Sequence, residues 1–398
     1  MSPIRRLSAG IAEGLPPIYW FLWGGTLINR LGTFVMPMLT FYLTQERGLS
    51  LEDAGLVVSS YGAGSLIGVS VGGELADRLG RRRTMILSLV AGSVAMLLLG
   101  QMRLLVAIAG IGFCLGAFGD LYRPASQALI ADVVAPEKRM KAFGLLYWAI
   151  NLGFAGGTSL AGYLAKSGYQ VLFVGDAITT LVYAAVIWRF IGETKPAGHE
   201  DKPGGFLTPF TDRVFLPHLV LSFLLVLVFF QHLVALPAQM IKNGLDTSDY
   251  GRAIALNGVL IVLVQPFTTK WFAKVPRSWT LAIAATLVGI GMWVHGESST
   301  LSGHLLAVSV WTLGEILMAP VNASIVADLS PAHLRGRYQG AFSLTWSAAT
   351  MVGPIVGPLV IKAGSMKALW AVCLGLGLTT AVGQLLLGPV RKKALAAD

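Results

Sequence analysis

The sequence predicts an all-α membrane protein, with twelve transmembrane helices in two pseudo-symmetric six-helix bundles. Three observations predict it. Apolar residues make up 55% of the 398 and charged residues 13%, with a mean hydropathy of +0.68, against roughly a quarter charged in soluble domains. The apolar residues fall into twelve stretches, each near the ~20 residues a helix needs to cross about 30 Å of hydrocarbon while bonding its own backbone. Part of the second half also repeats the first at a constant offset of 196 residues, which matches Pro124 to Pro320, Ala131 to Ala327, Asp132 to Asp328, Arg139 to Arg335, Gly144 to Gly340 and Gly157 to Gly353. Two halves inserted in the same orientation imply a pseudo-twofold axis along the membrane normal, with a site between them near the midplane.

Residues 1–16 lack an apolar core before the first span, so they do not read as a cleavable signal. They form a cytoplasmic N-terminal segment that is compatible with lying along the inner face. Span one (17–43) is interrupted by Asn29 and Arg30, and span two (53–73) runs into the charged turn Glu74–Arg83. Span three (84–101) is followed by span four (104–133), which carries Asp120 and Arg123, then by the glycine-containing span five (142–166) and by span six (170–192) with Asp176. These make the N-terminal bundle, 17–192. The longest hydrophilic stretch, GETKPAGHEDKPGGFLTPFTDR from Gly192 to Arg213, is rich in Pro, Gly and charge, and residues 193–213 read as a cytoplasmic linker. Span seven (214–240) is broken by Gln231 and His232, and span eight (249–270) by Asn257 and Gln265. Spans nine (279–295), ten (301–328, with Glu315), eleven (339–362, with Gly353 and Pro354) and twelve (367–389) complete the C-terminal bundle, 214–390, ahead of a cytoplasmic tail, 391–398. Many of the 47 glycines lie within spans, where missing side chains let helices approach closely or bend.

The net charge of +10 does not point to nucleic acid, because the basic residues are spread over short loops and not gathered on one face. Orientation accounts for them. Arg47, Arg103, Lys166, Lys242, Lys362 and Lys367 fall outside, Arg30, Arg123 and Arg252 lie within spans, and the remaining 21 of 30 are cytoplasmic if both termini are inside. The short connections and the Ala, Gly and Leu bias fit a bacterial inner membrane. Cys114 and Cys373 lie within spans, with no metal-ligand spacing and no disulfide framework. There is no GxxxxGK[ST] phosphate loop, no HExxH and no Ser/His/Asp arrangement. The expected reading is therefore neither ATPase nor enzyme, without cofactor or metal, working as a monomer in the lipid bilayer.

The strongest local signal is the run Gly73, Glu74, Leu75, Ala76, Asp77, Arg78, Leu79, Gly80, Arg81, Arg82, Arg83. An acid at a helix end, a glycine-permitted turn and a basic cluster make a polar latch. The run resembles the G-x-L-a-D-r-x-G-r-r loop of the major facilitator superfamily, and the resemblance extends over essentially the whole chain. It is nearest to the twelve-helix drug:proton antiporter branch, on INRLGTFVMPML, YRPASQALIAD and GEILMAPVNASIVADLSPAHLRGRYQG. The resemblance implies that Asp77 faces the start of span eleven and stabilises one gate state. The equivalent TKWFAKVPR, from Thr269 to Arg277, keeps only basic character. The branch's fifth-span pattern g-x-x-x-G-P-x-x-G-G is met at Gly153, Gly157 and Gly162, but Thr158 stands where Pro is expected and Ala161 where Gly is expected. What the resemblance implies is proton-coupled export of small amphipathic compounds. Thr158 and the intramembrane arginines keep open a proton-linked importer or facilitator of a hydrophilic metabolite, such as a sugar or organic anion. A receptor or enzyme retaining the fold is the third reading.

Ionisable groups at membrane depth cost roughly 2.5 to 3.5 kcal/mol at a helix centre on insertion scales, so each needs a partner or a purpose. Asp120 and Arg123, three apart, share a helix face. Asp120 is expected to pair with Arg123 or Arg30, leaving one excess cation for a polar or anionic substrate group; a structural ion-pair network is the rival. Glu315 has no cation in the surrounding run WTLGEILMAP. A carboxylate that is neutral in one gate state and ionised in the other is what proton coupling requires, so Glu315 and then Asp120 are the candidate proton carriers. For Glu315, a hydrogen-bonded structural acid or a direct substrate contact is the alternative. Asp176, on a span that is usually peripheral, is expected to bond a neighbouring hydroxyl. Asn29, Gln231 and Asn257 read as helix glue or substrate contacts, and His232 more as a packed core histidine than as part of a proton path. Phe34, Met36, Tyr122, Tyr147, Phe230 and Trp311 are candidates for an adaptable apolar wall.

Overall fold

An apolar stretch in hydrocarbon has to satisfy its own backbone, and every regular element among the described residues is helical. The computed structural model describes residues 14–194, 207–271, 275–331 and 334–395. Most of the expected inner-face segment, most of the linker and the end of the tail lie outside them. The helices are α1 (Pro17–Leu31), α2 (Val35–Phe41, continued by a π-helical turn Tyr42–Glu46), α3 (Leu51–Leu79), α4 (Arg81–Gln101), α5 (Leu105–Gly119), α6 (Tyr122–Val133), α7 (Pro136–Leu164), α8 (Gln170–Phe190), α9 (Thr208–Thr211), α10 (Phe215–Phe229), α11 (Gln231–Lys242), α12 (Thr247–Trp271), α13 (Arg277–Glu297), α14 (Leu301–Leu329), α15 (Arg335–Ala363) and α16 (Met366–Leu395). Nine helical segments among the described residues are long and apolar enough to cross a membrane.

Three expected spans are each two helices. Span one breaks at Gly32–Phe34, span four at Asp120–Leu121 and span seven at Phe230. Freed backbone groups at a membrane break need partners, and side chains supply them. At the first break the Asp176 carboxylate accepts the backbone N–H groups of Phe34 and Val35, each at 3.2 Å. At the second, the Ser88 hydroxyl accepts the Tyr122 N–H at 3.0 Å. The bond expected from Asp176 to a hydroxyl is therefore corrected: two amides, exposed by the break, are the stronger claim on a buried carboxylate. Replacing Asp176 by Ala orphans both amides and is expected to cost about 2 kcal/mol. It should lower the thermal unfolding midpoint in detergent, with Asp176→Asn losing less; an unchanged midpoint for the Ala variant refutes the capping role.

The repeat is visible in contacts as well as in sequence. The residues that open α2 and α11, Phe34 and Phe230, are 196 apart. The ion pair Arg81–Asp132 (3.1 Å) recurs as Arg277–Asp328.

The two halves meet along α3 against α15, α7 against α12 and α2 against α11. Small residues permit the approach: a Cβ on Gly62 would lie 2.5 Å from the Met351 nitrogen, and one on Gly162 2.5 Å from the Thr247 carbonyl oxygen. Polar ties cluster towards the end of the bundle opposite the chain termini. Thr40 donates to the Leu233 carbonyl (2.7 Å), Thr247 to the Gly162 carbonyl (3.0 Å) and Ser59 to the Met351 carbonyl. Lys166 pairs with Asp246 at 2.7 Å and Lys362 with Glu52 at 3.4 Å. Burial alone would raise the Asp246 carboxyl, but Lys166, the Ser248 hydroxyl and the Asp249 amide outweigh it and hold the group well below the usual carboxylate range. A depressed carboxyl stays ionised above its folded value, so this half-exposed bridge persists through neutral and mildly acidic pH, contributing at most about 1 kcal/mol.

Candidate functional site

Between the halves lies a cavity of about 310 Å³, walled by α1, α2, α3, α5, α6 and α7 from one repeat and α10, α11, α12, α14 and α15 from the other. From the first repeat come Arg30, Met36, Asp120 and Arg123; from the second come Phe230, His232, Asn257, Trp311 and Glu315. Asn29 and Tyr122 line a second chamber of about 100 Å³ that shares Arg30, Tyr61 and Asp120 with the first.

The polar hub of the first half is built at the span-four break. Buried Asp120 closes α5, and its Oδ1 meets Arg123 Nε at 2.8 Å. Its Oδ2 accepts from Ser65 Oγ at 2.5 Å and from the Tyr61 hydroxyl at 3.2 Å. Of the two cations weighed for Asp120, Arg123 is thus the partner. Arg30 turns instead to Tyr122, donating to its hydroxyl, with the guanidinium 5.9 Å from the ring centroid. No carboxylate lies within ion-pairing distance of Arg30 among the described residues, and its buried Nε has no hydrogen-bond partner.

In the second half, Glu315 Oε2 accepts from Asn257 Nδ2 at 2.7 Å, and the same amide group donates to Thr312 Oγ1 at 3.0 Å. Among the described residues no Lys, Arg or His lies within ion-pairing distance of Glu315. The repeat explains this arrangement. Tyr61 and Asn257 are equivalent positions, 196 apart, and each donates to the acid of its own half; Glu315 falls one residue before the position equivalent to Asp120. The position equivalent to Arg123 is Ala319. The halves therefore carry matched acids, one beside a cation and one without.

The wall near Glu315 is aromatic. His232 stacks on Phe230 and Trp311, with centroids 6.1 Å away in both cases, and holds the Phe229 carbonyl through Nδ1 at 2.8 Å. Phe229 and Trp346 close the cluster at 6.1 Å. Behind it, the Trp311 indole N–H donates to His295 Nε2 at 3.3 Å.

Two expected cavity residues are not among those that wall it. Tyr147 stands just behind, within electrostatic reach of Glu315 and bonded to Asn151, which donates to its carbonyl at 2.8 Å and, one turn on, reaches the wall. Gln231 turns away to donate to the Leu227 and Gly353 carbonyls, both at 3.1 Å, tying the span-seven break to α15. The wall also contains Thr33, Tyr61, Ser65, Phe154, Ser347 and Thr350, which sequence reasoning did not single out. The spacings Tyr61/Ser65 and Ser347/Thr350, four and three apart on one helix face, were the available signal.

Gly153 and Gly157 admit α1 alongside Arg30, whereas Gly162 faces α12. In the charged turn, Gly80 adopts φ +102, a conformation that favours glycine. Arg81 reaches both Asp77 (2.9 Å) and Asp132 (3.1 Å), and Arg78 pairs with Glu74 at 2.5 Å. Arg82 donates through its side chain to the Trp188 carbonyl, and Gly73 lies beside Pro124. Asp77 has a further interaction besides Arg81, and the side chains of residues 335 and 336, just before the expected start of span eleven, lie outside the described residues.

A family model described as Major Facilitator Superfamily matches residues 22–315 and 219–397. A Na(+), Li(+), K(+)/H(+) antiporter of Planococcus maritimus is 28% identical over 375 residues, covering 85% of this chain and 88% of that protein. The multidrug resistance protein 1 of Bacillus subtilis (strain 168) is 27% identical over 346 residues, covering 84% and 87%. A POT family transporter solved in complex with a thioalcohol-conjugated peptide superposes with a TM-score of 0.80 over 96% of this chain and 99% of that one, at 15% identity, a likeness of fold alone. With the family model spanning both repeats and a walled chamber between them, this chain is a transporter, not an enzyme, and belongs to the major facilitator superfamily.

Proposed function

We propose that the chain is a proton-coupled exporter of small amphipathic compounds working by alternating access. In this reading twelve spans form two six-helix bundles, 17–192 and 214–390, joined by the linker 193–213. Both termini (1–16 and 391–398) lie in the cytoplasm of a bacterial inner membrane, and the monomer is the working unit. The observation that carries the reading is the shared cavity, which sets an aromatic wall beside one acid that has a cation and one that has none. The aromatic wall suits flat apolar substrates, and Arg30 and Arg123 meet polar groups. Glu315 exchanges the proton, with Asp120 as the second titrating site, while Asp77 and its arginines latch the terminal end. One proton entering down 100 mV supplies about 2.3 kcal/mol, enough for roughly a fifty-fold gradient of a neutral substrate. The drug-resistance relative supports this substrate class.

The antiporter relative favours a second reading, exchange of monovalent cations for protons at the same two acids. Inverted vesicles or proteoliposomes loaded acid-inside separate the two. Export predicts uptake of a lipophilic cationic dye that collapses with a protonophore. Dissipation of the pH gradient by Na⁺ or K⁺, without dye uptake, favours cation exchange, and inertness to both overturns proton coupling.

A further inference from the structure

At the terminal end of the bundle the repeat is unequal. In the first half the N-terminus of α4 is crowned by an acid from the chain itself: Glu193 Oε1 accepts the backbone N–H of Arg81 at 2.7 Å and of Arg82 at 3.4 Å. The helix dipole and its free amides make that end an anion seat. In the second half, 196 residues on, Arg277 and Ser278 stand for Arg81 and Arg82, the Arg–Asp pair is retained, and Pro389 stands where Glu193 stood. In place of the carboxylate there is a cavity of about 570 Å³ between the ends of α13, α14 and α16.

Its lining contains Arg277, Arg391 and Lys392 and, among the described residues, no acid. Arg391 is buried at 5% exposure, held by Gln384 Oε1 (2.9 Å) and Ser278 Oγ (3.2 Å), with no carboxylate at ion-pairing distance among the described residues. Among the described residues Asp328 pairs with Arg277 alone. The rest of the lining is apolar, including Ile325, Leu329 and Leu385, and Trp279 at the mouth is 56% exposed. A surplus of cations, an apolar floor and an exposed tryptophan in the first turn of α13 are chemistry that fits an anionic amphiphile.

We propose that this cavity binds the phosphate headgroup of an anionic phospholipid, which occupies in the second half the seat that Glu193 fills in the first. The phosphate meets Lys392, Arg391 and the α13 amides, and the acyl chains run down the apolar floor. A free phosphate shares the headgroup chemistry but leaves that floor uncovered.

The test uses the full chain purified in detergent. Its thermal midpoint is followed while phosphatidylglycerol, phosphatidylcholine or inorganic phosphate is titrated, and retained lipid is read by native mass spectrometry. Phosphatidylglycerol is expected to raise the midpoint and stay bound where the other two do not. Exposed Lys392→Gln should weaken its apparent affinity about fivefold. Pro389→Glu, which installs the first half's own anion, should abolish the response; should that variant not fold, Lys392→Gln carries the decision. Equal responses to the two lipids, an equal response to inorganic phosphate, an unshifted Lys392→Gln titration or a full response in folded Pro389→Glu each overturns the proposal.

Discussion

In proteoliposomes energised by a pH gradient, Glu315→Gln is expected to abolish uphill accumulation, bringing a gradient of tens-fold to unity, while equilibrative exchange of substrate continues. The substitution is nearly isosteric and keeps an oxygen to accept the 2.7 Å bond from Asn257, so the thermal midpoint should move little. In the proposed mechanism, what it removes is the ability to hold a proton on one face of the membrane and release it on the other. Asp120 is a poorer substitute, because Arg123, Ser65 and Tyr61 already occupy both of its oxygens; releasing or capturing a proton there requires the hub to rearrange. Should the Gln variant retain full proton-driven accumulation, the assignment passes to Asp120. Loss of downhill exchange as well would make Glu315 a substrate contact.

The second large effect is expected at Gly62. Its helix α3 lies so close to α15 that a Cβ there would stand 2.5 Å from the Met351 nitrogen and 2.7 Å from its Cα. Backbone cannot yield as a flexible side chain can, so Gly62→Val has to part the two helices and open the end that Ser59, Lys166 and Lys362 help to close. Overpacking of this kind costs about 1 to 3 kcal/mol, which shifts a two-state equilibrium five- to more than a hundredfold. Transport should fall to a few per cent of normal with the protein still folded. In a background lacking Cys114 and Cys373, a Ser59→Cys reporter should become reactive to a membrane-impermeant maleimide added from the outside. Normal flux with unchanged labelling would remove the α3–α15 seam from the gating mechanism.

The all-helical fold, with nine segments among the described residues long and apolar enough to cross, was legible because hydrocarbon imposes length and apolarity on every crossing, and the repeat because its contacts recur at the same offset. The charged hub was partly legible: Asp120 and Arg123 lie one turn apart, and a three-residue spacing needs no tertiary knowledge. Arg30 meeting Tyr122 was not, since 92 residues of chain separate them. Nor could the facing of Tyr147 or Gln231 be read. Lipid and protein interior are both apolar, so hydrophobic periodicity, which tells the inside of a soluble helix from its outside, loses its contrast here. The breaks in spans one, four and seven escaped notice for a related reason. The groups that stabilise the first two, Asp176 and Ser88, come from other helices, and no proline or sequence gap marks the break points at Gly32, Asp120 and Phe230.

The alanine at 319, where the first repeat has Arg123, reaches beyond its immediate neighbourhood. A hypothetical protein made of two copies of residues 17–192 would repeat the Asp120–Arg123 pair and lack the acid that has no cation beside it; two copies of 214–390 would repeat that acid and lack the hub arginine. Only the tandem of unequal halves brings the paired acid and the acid without a cation to one cavity, so the inequality of the repeats is itself part of the architecture.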